Sequence, residues 1–405
     1  MLIEGSFVQY DRIVRQQVRI NSQTIEELGS HLGNPDLVFP ETSYIFPGFI
    51  DIHVHAREDR TGKHCYKEDF KSATEAALNG GVVAIMDMPN NPCPPANDEE
   101  YLFKKNLIST KTKMDIIPYA AVGINTQPLR THVPYKVYLG PSVGPFLFSA
   151  QDQLDQVLSK YKGKSVSFHC EDAEILKEHS TLSLHHQKRP ASAEVKAVKE
   201  AISFGEKYGL KVILTHLSVK EAVELGLEAK AKGMNVALEV APHHLYFSKD
   251  EETTQLQVNP PLRAVENRDF LLQMVKEGRI DYFATDHAPH TLEEKMKGSS
   301  GLTHLDTFGL FLSWLIKEKN VDPIILGKMA SRNPGQFLNQ FCERQYGEIK
   351  KGYESVFAVM DFSKETLVDS TFLKTKNKGS PFLGMTFPSQ VSILHHPQRS
   401  FLYES

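Results

Sequence analysis

Two histidines, His53 and His55, stand one residue apart at the end of an apolar run, in PGFIDIHVHARED. Side chains two positions apart on a β-strand point to the same side. Two imidazoles on one side can bind a single metal ion, and neutral imidazole suits zinc and similar divalent ions. An HxH pair also occurs among histidines of a surface or a turn. Whether this pair indicates a metal site therefore depends on which residues end the other apolar runs.

Several other short apolar runs carry side chains of the same chemical kinds. YKVYLG contains Lys136, VSFHCED contains His169, VILTHLS contains His216 and YFATDHAPH contains Asp286. Active sites of α/β barrels lie at the carboxyl ends of the strands. The pattern therefore predicts that one end of the fold gathers His53, His55, Lys136, His169, His216 and Asp286. The imidazoles and the carboxylate among them suit zinc or a similar divalent ion.

Lys136 is the unusual member of this set. A buried lysine costs free energy unless it is paired or deprotonated. Beside two metal ions, a neutral amine could capture carbon dioxide and form a carbamate whose two oxygens bridge the ions. Two alternatives stay open: a surface lysine, or a mononuclear site from which Lys136 faces away.

Short β-branched runs alternate with helical patterns along most of the chain. The predicted strands are residues 49–54, 82–86, 116–122, 136–139, 165–168, 211–214, 235–240 and 281–284. The predicted helices include residues 70–79, 193–208, 219–232 and 268–277. Nearly continuous apolar strands are typical of parallel sheets covered on both faces. Eight of them predict an α/β fold with a (β/α)₈ TIM-like barrel, and a doubly wound open sheet is the competing topology.

The two ends of the chain differ from the middle. Residues 1–46 contain short, alternating strands, and residues 353–405 resemble them. We expect both segments to form one small β-domain beside a catalytic barrel of residues 47–352.

Composition narrows the class of protein. The 405 residues carry a formal net charge of −4, with 40% hydrophobic and 24% charged residues. This balance argues against a strongly basic nucleic-acid or membrane-surface binder. We expect neither a membrane span nor a signal peptide. Four cysteines without a CxxC pair fit a reducing, cytoplasmic compartment.

Taken together, these strings resemble the amidohydrolase superfamily and, within it, dihydroorotases of the longer, binuclear-zinc type. The resemblance rests on PGFIDIHVHARED, MDMPNN, the Lys136 strand, VSFHCED, ILTHLS, EVAPHHL, VNPPLR and ATDHAPHTLEEK. It covers about residues 47–333, and DHAPHTLEEK together with HVHxRE is its most specific part.

The resemblance implies a zinc-dependent dihydroorotase, which interconverts N-carbamoyl-L-aspartate and L-dihydroorotate in de novo pyrimidine biosynthesis. It implies two Zn²⁺ per subunit, bridged by carboxylated Lys136 and a hydroxide. His53, His55 and Asp286 would bind the more buried zinc, and His169 and His216 the second. Asp286 would also be catalytic, since it would carry a proton from the hydroxide to the leaving ring nitrogen.

Substrate binding has its own candidates. Arg57 lies two positions past His55, so its side chain should point, like that of His55, into the opening at the carboxyl ends of the barrel strands. A guanidinium there can bind a carboxylate through two hydrogen bonds. A surface ion pair with Glu58 or Asp59 is the alternative. The resemblance assigns Arg57, Asn90 and His290 to the substrate carboxylate and, more weakly, Asn259 to the ring.

Two other functions stay open. A related cyclic amidase of the dihydropyrimidinase, hydantoinase or allantoinase kind would share the metal ligands without needing Arg57. A non-catalytic, dihydroorotase-like scaffold subunit is expected to lack several ligands. The resemblance also suggests a homodimer and an association with an aspartate carbamoyltransferase.

Two segments depart from the family pattern. GPSVGPF follows the Lys136 strand where relatives often carry a Thr- or Ser-rich loop; Ser142 could supply its hydroxyl, while Pro141 and Pro145 would stiffen it. Asp306 stands where relatives often have a longer glutamate. Glu293, Glu294 and Lys295 are expected to form an exposed helix start.

Overall fold

Eight parallel strands form the centre of the molecule. The computed structural model describes residues 1–140, 148 and 151–403. Barrel strands 1 to 8 are, in order, Phe49–Val54, Val82–Asp87, Asp115–Pro118 with its continuation Ala120–Ala121, Tyr135–Tyr138, Ser165–His169, Lys211–Leu214, Val236–Val240 and Tyr282–Phe283. Their side chains are almost all buried, as continuous apolar runs require.

The strands close into a ring. Strands 1 to 3 pair in sequence, and the continuation of strand 3 begins a second series that runs to strand 8. Val54 at the end of strand 1 pairs in parallel with His287 just past strand 8. The backbone N–H of His55 donates to the carbonyl of His287 at 2.8 Å. The predicted barrel is confirmed, and the open-sheet alternative is wrong.

Helices cover the outside of the ring and connect its strands. The α-helices are Phe70–Asn79, Asp98–Lys111, Gln151–Leu158, Ala173–Glu178, His185–Lys188, Ala191–Tyr208, Lys220–Ala231, Pro242–Tyr246, Val265–Lys276, Leu292–Met296, Phe308–Lys317, Pro323–Gly327 and Asn333–Leu338. Short 3₁₀ turns are Ser159–Tyr161, Lys249–Glu251, Thr254–Leu256 and Leu305–Thr307, and Lys328–Arg332 is a π-turn. None of the helices in the described part of the chain has the length and apolarity needed to cross a membrane.

A second, smaller sheet lies beside the barrel and combines strands from both ends of the chain. Its strands are, in spatial order, Gln390–Leu394, Phe357–Asp361, Ser43–Pro47, Leu2–Val8, Ile13–Ile20 and Ile25–Gly29, with Leu37–Val38 also paired to Leu2–Val8. It has a separate apolar cluster that includes Ile3, Phe7 and Phe357. The small β-domain expected from the two termini is therefore present.

The segment between the strands Phe357–Asp361 and Gln390–Leu394 leaves this sheet and packs on the barrel. It forms a hairpin of Thr366–Leu367 with Thr386–Phe387, and the Phe382 ring stacks on Phe311 with centroids 5.6 Å apart. The Asp306 carboxylate accepts the backbone N–H groups of Lys374 at 2.6 Å and Thr375 at 3.0 Å. The short Asp306 thus fastens the C-terminal segment to the barrel. The domain boundaries at 46/47 and 352/353 stay a prediction.

Candidate active site

A cavity of about 380 Å³ opens at the carboxyl ends of the barrel strands. Its lining includes most of the residues that the sequence singled out: His53, His55, Arg57, Asn90, His169, His216, Asn259, Asp286 and His290. The barrel brings these positions together from strands and loops that are more than 200 residues apart in the chain. Strand ends that meet at one edge explain this convergence.

The most compact group in the cavity comprises His53, His55 and Asp286. Their potential ligand atoms all lie within 4.8 Å of one another. The Oδ1 atom of Asp286 is 3.3 Å from His53 Nε2 and 3.0 Å from His55 Nε2. The group is a candidate site for a metal ion.

Hydrogen bonds on the far side of both rings determine where their protons are. His53 Nδ1 donates to Glu239 Oε1 at 2.7 Å, and His55 Nδ1 donates to Asn90 Oδ1 at 2.5 Å. A neutral imidazole has one proton, so both Nε2 atoms carry lone pairs. Burial lowers the pKa of both rings well below the usual value for histidine, and hence neither ring is charged. The lone pairs of both Nε2 atoms therefore converge on a carboxylate oxygen of Asp286, an arrangement that suits a metal cation.

His169 at the end of strand 5 and His216 just past strand 6 form a second pair. His169 Nδ1 lies 3.0 Å from His216 Nε2, and the ring centroids of His53 and His216 are 5.2 Å apart. His169 Nε2 donates to Glu171 Oε2 at 2.9 Å, so Nδ1 is the nitrogen of His169 that faces His216. The Nδ1 atom of His216 is buried and has no partner among the described residues. Imidazole nitrogens are common ligands of divalent cations, and this pair lies beside the group of His53, His55 and Asp286.

Lys136 is fully buried, so the surface alternative does not hold. Its Nζ donates to Thr215 Oγ1 at 3.0 Å, and this oxygen lies 3.3 Å from His216 Nε2. Burial lowers the pKa of Lys136 to about 8. The amine is therefore beside the second histidine pair and closer to its neutral form than an exposed lysine would be.

Glu239 joins the two histidine pairs. Its Oε1 accepts from His53 Nδ1 and, at 3.0 Å, from the backbone N–H of His216. The side chain is 1% exposed, and its second oxygen has no partner among the described residues. Such contacts orient ligand histidines.

Backbone strain concentrates at this site. Arg57, His216 and Asp286 have φ angles of 63°, 39° and 49°. Non-glycine residues rarely adopt positive φ, and clusters of such residues occur mainly at functional sites. The turns that bear these side chains are thus held in place by the surrounding fold.

Arg57 is a buried cation, only 5% exposed. Its Nε has no partner among the described residues, and its Nη2 lies 3.4 Å from His290 Nε2. The predicted alternative of a surface ion pair is therefore wrong. An arginine of this kind provides hydrogen-bond donors and positive charge for an anion in the cavity.

Asn90 and Asn259 line the same cavity. Asn90 Oδ1 is occupied by His55, which leaves its Nδ2 for a ligand. Asn259 Oδ1 is buried and has no partner among the described residues. His244 Nε2 donates to the carbonyl of Pro260 at 3.0 Å, so His244 supports the loop that carries Asn259. Of the GPSVGPF segment only Gly140 is described, so Ser142 and the two prolines lie outside the described residues.

Sequence reasoning missed four residues around the cavity. Tyr138 lines the cavity, and its buried hydroxyl has no partner among the described residues. Glu171 accepts a hydrogen bond from His169 and forms an ion pair with Arg189. Lys67 contacts His290. Lys295 donates to the carbonyls of Gln257, Ser299 and Gly301, so it fixes the wall of the cavity. The helix start is expected to be exposed, and this expectation is wrong for Lys295, which is buried. The one signal in the sequence for Tyr138 is its position two residues after Lys136, which places both side chains on the same side of the strand.

The sequence is similar to known cyclic amidohydrolases. The Amidohydrolase family matches residues 44–109. The dihydroorotase of Thermococcus kodakarensis is 31% identical over 399 residues, which cover 96% of this chain and 91% of that protein. The dihydroorotase of Clostridium botulinum is 29% identical over 386 residues and 92% of each chain.

Solved structures show the same fold at lower identity. The L-hydantoinase (dihydropyrimidinase) of Arthrobacter aurescens superposes with a TM-score of 0.87 at 20% identity and covers 100% of this chain and 97% of its own. The D-hydantoinase of a Thermus species has a TM-score of 0.82 at 22% identity, with 96% and 92% coverage. The chain is a cyclic amide hydrolase, and it belongs to the dihydroorotase family of the amidohydrolases.

Proposed function

We propose that this enzyme is a dihydroorotase, which reversibly cyclises N-carbamoyl-L-aspartate to L-dihydroorotate. The observation that carries the proposal is Arg57, a buried guanidinium beside the histidine cluster whose Nε has no partner among the described residues. A substrate ring that bears a carboxylate would provide this guanidinium with a hydrogen-bond acceptor of opposite charge. The neutral rings of hydantoin and dihydrouracil would leave this cation buried without an acceptor, which costs free energy.

Two divalent ions, with zinc as the first candidate, would complete the centre. His53, His55 and Asp286 would hold one ion, and His169 and His216 the other, with a Lys136 carbamate shared between them. When bound, such ions polarise an amide carbonyl and acidify water near neutral pH. The neutral rings of His53 and His55, whose Nε2 atoms face Asp286, support this assignment.

Asp286 moves the proton in this proposal. Its Oδ1 atom lies at the centre of the cluster and faces the cavity. In ring opening it would accept the proton of the attacking water and return it to the ring nitrogen as the amide bond breaks. In cyclisation the same carboxylate would remove the proton from the ureido nitrogen.

The remaining cavity residues would orient the ring. Arg57, His290 and the Nδ2 of Asn90 would bind the carboxylate. The Oδ1 of Asn259, which has no partner in the described part of the chain, would accept a ring N–H. Fixing the ring at both ends would align its amide carbon with the metal centre, which lowers the entropic cost of reaction.

Cyclisation is the reaction that tests this function. Metal-loaded enzyme is expected to convert N-carbamoyl-L-aspartate to dihydroorotate, as followed by ultraviolet absorbance, and to leave the D-enantiomer largely unreacted. A protein that carries metal but forms no dihydroorotate from either enantiomer would contradict the proposal.

The proposal includes the cellular context that the family suggests: a cytoplasmic homodimer able to associate with an aspartate carbamoyltransferase. Sedimentation of the pure enzyme, alone and mixed with that transferase, would test both associations. A monomer that does not co-sediment would remove them without affecting the chemistry.

A further inference from the structure

Lys67 lies behind His290 and not in solvent. Its side chain is 9% exposed, and its Nζ is 2.8 Å from Glu294 Oε1 and 3.3 Å from His290 Nδ1. Glu294 Oε2 is also 3.3 Å from His290 Nδ1. One ring nitrogen therefore faces both a cationic donor and an anionic acceptor, and their competition determines which nitrogen of His290 bears the proton.

Glu294 already has several donors. Its Oε1 accepts from the Tyr66 hydroxyl at 2.5 Å and from Lys67, and its Oε2 accepts from the backbone N–H of Thr291 at 3.1 Å. Although burial raises the pKa of Glu294, the hydrogen bonds from Lys67 and Tyr66 lower it to about 2. The ionised carboxylate can only accept, and it is well supplied without His290.

Lys67 has fewer hydrogen-bond acceptors for its three protons than Glu294 has donors for its two oxygens. Among the described residues, its acceptors are Glu294 and His290 Nδ1. An ammonium that is nearly buried loses free energy for each proton without an acceptor. Counting partners therefore favours donation from Lys67 to Nδ1, which leaves the single proton of a neutral His290 on Nε2.

The ring is neutral in this environment. Burial and the nearby charge of Arg57 lower the pKa of His290 to about 3. With its proton on Nε2, the ring directs an N–H towards Arg57 Nη2, which lies 3.4 Å away and is also a donor. Two donors that face each other need a shared acceptor, and a carboxylate has two oxygens for this purpose.

We infer that Lys67 is a positioning residue for carboxylate specificity: it donates to His290 Nδ1 and so keeps the Nε2 proton available, beside Arg57, for one substrate carboxylate. The inference rests on the proposed function, because it takes that carboxylate to be the one of dihydroorotate. In the opposite tautomer, His290 would donate from Nδ1 to Glu294 and accept from Arg57. The two residues would then satisfy each other and bind an anion less tightly.

Nitrogen NMR of the histidine rings tests the proton position directly. In the metal-loaded wild-type enzyme, the His290 signals, assigned by their loss in His290→Gln, are expected to show the Nε2–H tautomer. Lys67→Met is expected to shift His290 towards Nδ1–H. The matched control is Lys297→Met, which removes an exposed lysine that lies just past the helix Leu292–Met296 and pairs with Glu293, the neighbour of Glu294; it should leave the signals unchanged.

Kinetics separate positioning from a general structural role. In Lys67→Met, KM for dihydroorotate and the Kd of orotate, a carboxylate probe, are expected to rise about tenfold, or about 1.4 kcal/mol. The kcat, the metal content and the melting temperature should stay close to wild type. Lys67→Arg retains a donor and is expected to recover part of the affinity.

Each outcome bears on one claim. A wild-type His290 with its proton on Nδ1 would overturn the inference, even if Lys67→Met misfolds. An unchanged KM in a folded Lys67→Met enzyme would overturn it as well. If the wild type shows the Nε2–H tautomer but does not turn over dihydroorotate, the proposed function fails while the role of Lys67 in fixing the tautomer stands.

Discussion

Replacing Arg57 by methionine should separate activity from stability. Arg57 is 5% exposed, and its Nε is unpartnered among the described residues. Burial lowers its pKa although the nearby carboxylates of Asp286 and Asp87 raise it, so in the free enzyme these neighbours compensate the buried charge only in part. Methionine has a similar length and no charge. The same substitution therefore removes a substrate contact and a source of instability.

The loss of activity can be worked out from the contacts. Arg57 would make two charge-assisted hydrogen bonds to the substrate carboxylate, each worth about 1.5–3 kcal/mol. Losing both removes about 3–6 kcal/mol, which corresponds to a fall of about 10²- to 10⁴-fold in kcat/KM for dihydroorotate. The free energy of unfolding without substrate is expected to rise by about 1 kcal/mol, because a buried and only partly compensated charge is removed.

Steady-state kinetics and urea unfolding measure the two quantities. Arg60→Met is the matched control, since Arg60 lies in the same loop but is 36% exposed and pairs with Glu99 and Glu100. It should leave both quantities near wild type. A loss of less than tenfold in Arg57→Met, or a marked loss of stability, would refute the interpretation of Arg57 as a preformed anion site.

Other predictions concern the metal centre. Asp286→Asn should retain much of its metal yet lose nearly all turnover, because the proton carrier is removed; zinc analysis with kinetics checks this. Lys136→Ala should lose metal and activity together, and short carboxylic acids should restore part of both. At fixed dissolved carbon dioxide, reconstitution of metal-free enzyme should speed up as pH rises through about 8, where the pKa of Lys136 makes the amine neutral. Glu239→Ala should weaken metal binding by about 10- to 100-fold, measured by competition with a chelator, because His53 loses the acceptor of its Nδ1 proton.

Matched controls lie on solvent-facing positions of the same barrel. Asp269→Asn, Lys211→Ala and Glu224→Ala change exposed side chains and should leave metal content and turnover unchanged. Near-wild-type activity in Asp286→Asn would refute its role as proton carrier. Full metal occupancy in Lys136→Ala would show that this lysine is no bridge, and unchanged affinity in Glu239→Ala would show that the His53 contact does not tune the site.

The barrel could be predicted because its signal is local. Strands 1 and 6 have exactly the predicted bounds, and so does the helix Phe70–Asn79. Continuous apolar runs bounded by polar residues specify buried parallel strands, and the strand ends then specify where His53, His169 and His216 meet. Period and position along the chain were sufficient for these features.

The surroundings of His290 could not be predicted in this way. Lys67 and Glu294 are 227 residues apart, and each has an unremarkable local sequence. Their contact depends on how the loop of Lys67 and the short helix Leu292–Met296 lie over the barrel mouth. The same holds for Lys295, whose three carbonyl acceptors come from two separate loop segments. Charged residues near a helix start usually face solvent, and only tertiary packing reverses that expectation here.

The central claim is that the cavity selects a cyclic amide bearing a carboxylate. The most direct test is the ratio of kcat/KM for dihydroorotate to that for dihydrouracil, measured with metal-loaded wild-type enzyme. If Arg57 supplies two charge-assisted bonds, the ratio should be about 10² or higher. A ratio near or below one would contradict the account, because the buried guanidinium would then contribute nothing to substrate choice.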